Sequence, residues 1–165
     1  MGFREMRRFR QQLSQEECEA ILRRGTAGVL AVSGDEGWPY SVPLSYTYEG
    51  EKLLFHCAAA GHKLDALRRD NRACFCVIDQ DKVIPEKYTT AYRSVVVFGR
   101  VSILEDEAEL RRGGEALGRK YHPQGTPEEL EKEISGSLGH MLILEMDISH
   151  MTGKEGRELA QAKNK

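Results

Sequence analysis

The sequence predicts a mainly β protein with flanking helices, in which six antiparallel strands close into a small barrel. Six segments show the apolar runs or the period-two alternation of strands. They occupy residues 26–33, 38–48, 52–57, 72–79, 92–104 and 140–148. Most connections between them are short, which favours antiparallel pairing, and Gly99 in the fifth segment is typical of a bend at a barrel corner. A closed barrel also removes the exposed edges of an open sheet.

The composition indicates one domain with a substantial core. Of the 165 residues, 40% are hydrophobic and 30% are charged, as in soluble globular proteins. The net charge is only −2, so we expect neither a nucleic-acid partner nor an anionic membrane surface as partner. Without a signal-peptide core or an apolar run near the ~20 residues of a membrane span, the protein is expected to be cytoplasmic. Residues 1–13 are predicted to form a basic arm, and residues 153–165 a charged tail that frays.

Helices are predicted between the strands from signals at their first turns. Ser14, Asp106 and Thr126 each stand where an N-cap residue is expected, before a segment with helical spacing of apolar residues. The second of these helices contains Gly113 and Gly114, which cost about 1 kcal/mol each relative to alanine. We therefore expect tertiary packing to hold it.

Two segments are interpreted from their prolines and polar residues. Pro39 and Pro43 cannot donate ladder hydrogen bonds, so the segment 38–48 is expected at an edge or a bulge, with backbone groups free for another use. Residues 80–91, which include Pro85, are predicted to form a polar loop.

Residues 53–63 are the part of the chain most typical of an anion-binding site. A strand runs through three alanines and a glycine to His62 and Lys63, at the start of a helix predicted over residues 62–69. Free N–H groups and the helix dipole attract a phosphate there, and Lys63 adds a full charge. The residues alone leave open a plain solvated helix whose lysine faces water, since neither a P-loop nor a G-x-G-x-x-G turn is present.

The cysteines are predicted to be reduced thiols and not metal ligands. None of them forms a C-x-x-C pair, and three lie in apolar strand-like segments. A zinc site built with His56 and His62 matches no standard spacing, and the adjacent His56 and Cys57 point to opposite faces of a strand. The cysteines are Cys18, Cys57, Cys74 and Cys76.

Four short motifs together resemble the pyridoxamine 5′-phosphate oxidase-like superfamily, and within it the nitroimidazole-resistance (Nim-type) branch. They are Ser-Val-Pro-Leu-Ser-Tyr at 41–46, Leu-Phe-His-Cys at 54–57, Gly-His-Lys at 61–63 and Tyr-Arg-Ser-Val-Val-Val-Phe-Gly at 92–99. The likeness covers residues 7–155. It implies the FMN-binding split barrel, a homodimer of six-stranded Greek-key barrels with two FMN at the subunit interface.

The resemblance also implies which positions bind FMN. Backbone groups of 41–45 would bond the edge of the flavin ring, residues 56–58 would lie beside the ribityl chain or the ring, and the pair 62–63 would hold the phosphate. Residues 93–95 would reach the cofactor from the other subunit. His56 matches a strand-end histidine regarded as functional, which would serve the substrate or only orient the ribityl hydroxyls. The implied positions are Ser41, Val42, Pro43, Leu44, Ser45, His56, Cys57, Ala58, His62, Lys63, Arg93, Ser94 and Val95.

The activity implied by the resemblance is that of an FMN-dependent oxidoreductase. Electrons from NAD(P)H or another donor would pass to a small acceptor such as a nitroaromatic or quinone-like compound. Pyridoxamine phosphate oxidation is not expected, because Met151 stands in the region where the oxidase has a flavin-packing tryptophan. His62 replaces an arginine and donates fewer hydrogen bonds, which predicts weaker or pH-dependent FMN binding. A flavin store or redox sensor without turnover, and a split barrel that binds haem or a deazaflavin, remain alternatives.

Overall fold

The computed structural model describes residues 2–163, which form seven strands and five α-helices. The strands are β1 (Ala27–Ser33), β2 (Pro39–Ser45), β3 (Thr47–Glu49), β4 (Lys52–Ala58), β5 (Arg72–Ile84), β6 (Thr89–Leu104) and β7 (Met141–Glu155). The helices are α1 (Gln15–Arg24), α2 (His62–Arg69), α3 (Glu107–Tyr121), α4 (Pro127–Ser137) and α5 (Arg157–Ala162). The mainly β class with flanking helices is confirmed.

All seven strands belong to one antiparallel sheet with the order β2-β1-β5-β6-β7-β4-β3. The predicted count of six differs because the segment 38–48 breaks at Tyr46, where the chain leaves β1 and begins to pair with β4. The two edge strands, β2 and β3, are therefore separated by one residue in the chain. A sheet whose outer strands are joined so closely has to curl until its edges approach each other.

The core lies inside the curled sheet and beneath α1 and α2. Tyr46, Phe55 and Phe75 are fully buried, and the ring of Phe75 meets the other two edge-on at 5.0 and 4.9 Å between centroids. Such edge-to-face pairs are a favourable way to pack aromatic rings. Ile21 and Leu22 close the core from α1, whose predicted capping box at Ser14 is present.

The glycines of α3 permit close helix packing, as expected. A Cβ on Gly113 would lie 2.8 Å from Ile143 of β7, and one on Gly114 would lie 3.2 Å from Ile134 of α4. Both contacts are tighter than a side chain allows without movement of its neighbour. The sheet bend at Gly99 is also present, because the β6–β7 register shifts between Phe98 and Gly99.

The segment 80–91, predicted as a loop, is largely strand. The pairing of β5 with β6 shifts register after Ile78 and then continues to its last pair, Ile84 with Thr89. Only a short turn at Pro85–Lys87 separates the two strands. The prediction was wrong because both faces of this projecting hairpin are mostly exposed, so its sequence lacks the apolar alternation of a half-buried strand.

The predicted tail is also ordered structure up to residue 163. β7 continues to Glu155 and α5 follows it. The prediction of a frayed tail from residue 153 was therefore wrong up to residue 163. Residues 164–165 lie outside the described part of the chain. Gly153 and Glu155 are buried. The basic arm is held against this strand, since the N–H of Leu13 donates to the carbonyl of Gly153 at 3.0 Å.

Candidate functional site

Strand β2 presents the residues Ser41–Ser45 at an edge of the sheet. Among the described strands, β1 is its only ladder partner, which confirms the edge position predicted from its prolines. Backbone donors and acceptors along its outer side are therefore available to a ligand. Val42 and Leu44 are half-buried, whereas Ser41, Pro43 and Ser45 are exposed.

The start of α2 is built as an open anion site. Its N-cap residue, Gly61, has φ of 137°, a conformation that strongly favours glycine, and offers no side-chain cap. No atom lies within 4 Å of the position of a Cβ there, so the space in front of the first turn is open. Leu64 and Leu67 are buried and fix the helix to the core, which holds its first N–H groups in place.

The two predicted phosphate ligands differ in their surroundings. The ring of His62 packs on Tyr40 at 4.1 Å between centroids, and its Nε2 lies 3.4 Å from the carboxylate of Asp35. Asp35 also binds Arg69 at 2.7 Å. Lys63, by contrast, forms no ion pair with any residue between 2 and 163, which leaves its ammonium available for an anion.

A cavity of about 340 Å³ opens beside His56, between the sheet and the helices α3 and α4. His56 of β4 and Ser45 of β2 line it together, so the structure brings two of the predicted positions to one place. The exposed imidazole of His56 makes no hydrogen bond within residues 2–163 and is free to meet a ligand. The other lining residues are mostly apolar and include Leu117, Tyr121, Leu130, Ile134 and Met141.

Tyr121 is a residue of this site that was not predicted from the sequence. Its hydroxyl accepts a hydrogen bond from the N–H of Tyr46 at 2.9 Å and donates to the carbonyl of Thr26. It thereby ties the end of α3 to the break between β2 and β3. An aromatic residue before a turn carries no local signal for such a contact, because its partners lie far away in the chain.

Two of the predicted positions are buried within the single chain. Val95 is fully buried and Cys57 is 7% exposed, whereas Ala58 is exposed at the end of β4. Burial raises the pKa of the Cys57 thiol, and the nearby charge of Lys63 opposes this only in part. Cys57 therefore remains a protonated thiol at neutral pH.

Arg93, Ser94 and Val95 lie at the far end of the sheet from His56. Arg93 pairs with Glu155 on β7, whereas His56 pairs with Ile143, about twelve residues or roughly 40 Å away along that strand. The guanidinium of Arg93 binds Glu155 at 3.1 Å and Asp79 at 3.3 Å. Within one chain, the structure does not bring these residues to the start of α2.

Neither a metal site nor a membrane-spanning helix is present in residues 2–163. No group of three or more His, Cys, Asp or Glu within residues 2–163 is arranged to hold a metal ion. No helix of the described chain has both the length and the apolar character that crossing a bilayer requires. The four cysteines are free thiols.

Solved structures of known proteins share this fold. A candidate 5-nitroimidazole antibiotic resistance protein of Bacteroides thetaiotaomicron has a TM-score of 0.73 at 23% identity, over 87% of this chain and 86% of that protein. A conserved hypothetical protein of Mycobacterium tuberculosis has a TM-score of 0.80 at 21% identity, over 94% and 92% of the two chains. An FAD- and haem-binding protein of Mycobacterium smegmatis has a TM-score of 0.71 at 20% identity, over 94% and 80%.

The sequence of the chain identifies its family. A search of curated proteins finds no match. The sequence profile of the pyridoxamine 5′-phosphate oxidase family, however, matches residues 14–155, from the N-cap of α1 to the end of β7. Because this match covers most of the chain, the protein belongs to the pyridoxamine 5′-phosphate oxidase family.

Proposed function

We propose that the protein is an FMN-dependent oxidoreductase that acts on a small organic acceptor in the cytoplasm. One observation carries the proposal: the exposed edge strand β2 runs from Tyr40, which contacts His62 at the start of α2, to Ser45, which lines the cavity beside His56. These ends are five residues, or roughly 17 Å, apart along the strand. An elongated ligand with a phosphate at one end fits such an arrangement.

The residues present fit FMN by their chemistry. Lys63 and the open first turn of α2 would hold the phosphate, because both favour an anion. Lys63 forms no ion pair within residues 2–163, and the N–H groups of His62 and Lys63 have no partner there, whereas the N–H of Leu64 donates to the carbonyl of Gly61. Backbone groups on the outer side of Ser41–Ser45 would bond the polar edge of the ring. FMN, when bound, supplies the two-electron redox chemistry.

His56 would act at the substrate and not only at the cofactor. Its imidazole is exposed, has no partner in residues 2–163, and forms one wall of the cavity. It would donate a hydrogen bond or a proton to an acceptor bound there. The mostly apolar lining favours a small uncharged planar acceptor, such as a nitroaromatic or quinone-like compound, over the phosphate-bearing pyridoxamine phosphate.

A homodimer would complete the site. Arg93, Ser94 and Val95 do not reach the start of α2 in their own chain, so a second copy has to supply them if they contact the cofactor. Arg93 would then have to exchange one of its two carboxylate partners for the phosphate. If β2 and β3 are counted as one strand, each subunit of such a dimer has the six strands of a split barrel.

Turnover tests this proposal most simply. We expect FMN-loaded protein to oxidise NADH or NADPH anaerobically when a nitroaromatic or a quinone is present. His56→Ala should lower kcat about a hundredfold without loss of FMN, whereas His140→Ala, at an exposed position outside the cavity, should not. Bound flavin without turnover by any donor would favour a flavin store or sensor instead. A Soret band in the purified protein would favour haem.

A further inference from the structure

A second cavity, of about 540 Å³, lies between the basic arm and α5. It is remote from His56, since α5 follows the end of β7 that is farthest from β4. Phe9 and two glutamines contribute to its walls, but four of the eight lining residues are arginines. We refer to the arginines that line it as the arginine cluster: Arg7, Arg8, Arg10 and Arg157.

The arginine cluster stands out because its members have no acidic partners. Most other arginines of the chain form an ion pair with a carboxylate, and Arg100 donates to Asn71 at 2.9 Å. Within residues 2–163, no carboxylate forms an ion pair with any member of the cluster. Arg4, on the same arm, is also unpaired but does not line the cavity. Four of the five arginines that have no side-chain hydrogen bond or ion pair within residues 2–163 thus line one concavity.

Such an arrangement is costly without an anion. Four cationic side chains around one concavity repel each other, and no acidic residue of the described chain lines it. Arginine binds phosphate through two parallel N–H donors, which makes it well suited to phosphate recognition. The volume is in the range of small-molecule binding sites.

The cavity also presents an aromatic face. The ring of Phe9 is 69% exposed, and the guanidinium of Arg10 lies 5.8 Å from its centroid. A purine or pyrimidine base can stack on such a ring, and a base with attached phosphates would bring both groups together.

The arm that carries these residues is fixed to the sheet. Gln12 forms a bridge with Lys154 of β7, Gln11 is buried, and the N–H of Leu13 donates to Gly153. Phe9 to Gln11 also form a short 3-10 turn. The backbone that carries the three arginines of the arm is therefore positioned beside the cavity before a ligand arrives, which lowers part of the entropy lost on binding.

We propose that this cavity binds a nucleotide with two or more phosphates, with the phosphates on the arginine cluster and the base on Phe9. Free nucleoside diphosphates and nicotinamide dinucleotides share this chemistry. The proposal does not depend on FMN binding at the start of α2, because the two sites have no residue in common.

Isothermal titration of the full chain with ADP, NADPH and inorganic tripolyphosphate, in 150 mM salt, tests the proposal. We expect saturable binding of ADP or NADPH, weakened about tenfold by Arg8→Ala and by Arg157→Ala. The matched control Arg4→Ala removes an unpaired arginine outside the cavity and should change affinity less than about twofold. Phe9→Ala should weaken the nucleotides but not tripolyphosphate. Tighter binding of NADPH than of ADP would identify a nicotinamide dinucleotide as the ligand, and the reverse would identify a nucleoside diphosphate.

Three results would overturn the proposal. The first is no saturable binding of either nucleotide. The second is an equal loss of affinity in Arg4→Ala, which would indicate diffuse electrostatic attraction. The third is tripolyphosphate that binds as tightly as ADP, with no effect of Phe9→Ala on ADP, which would indicate an anion site without base recognition. All the substituted side chains are exposed, so the variants should fold, and their melting temperatures would verify this.

Discussion

The hydroxyl of Tyr121 accepts a hydrogen bond from the backbone N–H of Tyr46 at the single-residue break between β2 and β3. The same hydroxyl donates to the carbonyl of Thr26 at the start of β1, and the carbonyl of Tyr46 lies 3.0 Å away. One side chain thus satisfies backbone groups that the sheet leaves unpaired where its two edges meet. Since Tyr121 also lines the cavity beside His56, this contact links the stability of the fold to the shape of the site.

Tyr121→Phe should lower the free energy of unfolding by about 1–2 kcal/mol. The substitution keeps the ring but leaves the N–H of Tyr46 and the carbonyl of Thr26 without their partner. Urea unfolding measures the change. Tyr88→Phe is the matched control, because Tyr88 is 99% exposed in a hairpin turn and should have almost no effect. Equal stability of Tyr121→Phe and the wild type would contradict the role given to this hydroxyl.

Gly99→Ala should destabilise the fold by about 2 kcal/mol. A Cβ at this position would collide with the backbone carbonyl of Asp147 on β7, so the two strands would have to separate. In Gly136→Ala of α4, by contrast, the new methyl group meets no atom within 4 Å, and helix propensity should stabilise that variant by up to ~1 kcal/mol. Thermal unfolding of both variants should therefore show opposite shifts. A neutral Gly99→Ala would mean that the bend does not require glycine.

Lys120 should make stability rise with pH in the alkaline range. Its Nζ is buried without a hydrogen-bond partner, 4.0 Å from the centroid of the Tyr46 ring, and burial lowers the pKa of Lys120 to about 8. The unfolded chain, with the ordinary pKa of 10.5, binds more protons between pH 8 and 10.5. Lys120 therefore contributes an increase in the free energy of unfolding across that window.

Lys120→Met should abolish this rise and stabilise the protein at pH 7 by about 1 kcal/mol, because no buried ammonium remains. Chemical unfolding at pH 7, 8, 9 and 10 measures both effects. Lys132→Met, at an exposed position of α4, serves as the control and should retain the wild-type dependence on pH. A wild-type curve parallel to that of Lys120→Met would contradict the prediction.

Local signals in the sequence were sufficient for much of the fold. The capping boxes at Ser14 and Thr126 are present, and α2 begins and ends where its spacing predicted. The features that were predicted wrongly depend on contacts between distant parts of the chain. The break at Tyr46 arises because β3 pairs with β4 after β2 has paired with β1, and no pattern within residues 38–48 marks that change of partner.

The candidate site, too, could be predicted from local signals only in part. Lys63 and His56 were predicted from a local motif and a resemblance, and the structure places them at opposite ends of β2 near an open helix start and a cavity. The walls that α3 and α4 add could not be predicted, since their glycines and leucines indicate only helix packing. Nor could the contact between the ring of His62 and the carboxylate of Asp35 be predicted, because it joins a turn to a helix start.

A mixing experiment tests whether Lys63 and Arg93 of different chains share a site. Lys63→Ala and Arg93→Gln should each weaken FMN binding, but dimers that contain one chain of each have one unaltered site. Random mixing should therefore restore about a quarter of the sites to wild-type affinity. Mixing Lys63→Ala with His62→Ala is the control, because every site then carries one substitution. No recovery in the first mixture would contradict a site shared between subunits.

The visible absorption spectrum during titration of the protein with FMN tests directly whether a flavin phosphate binds at the start of α2 through Lys63. We expect a saturable shift of the flavin bands at micromolar FMN, with affinity at least about tenfold weaker in Lys63→Ala. Lys87→Ala, at an exposed turn of the β5–β6 hairpin, should bind as the wild type does. No spectral shift at micromolar FMN, or equal affinity in Lys63→Ala and Lys87→Ala, would contradict it.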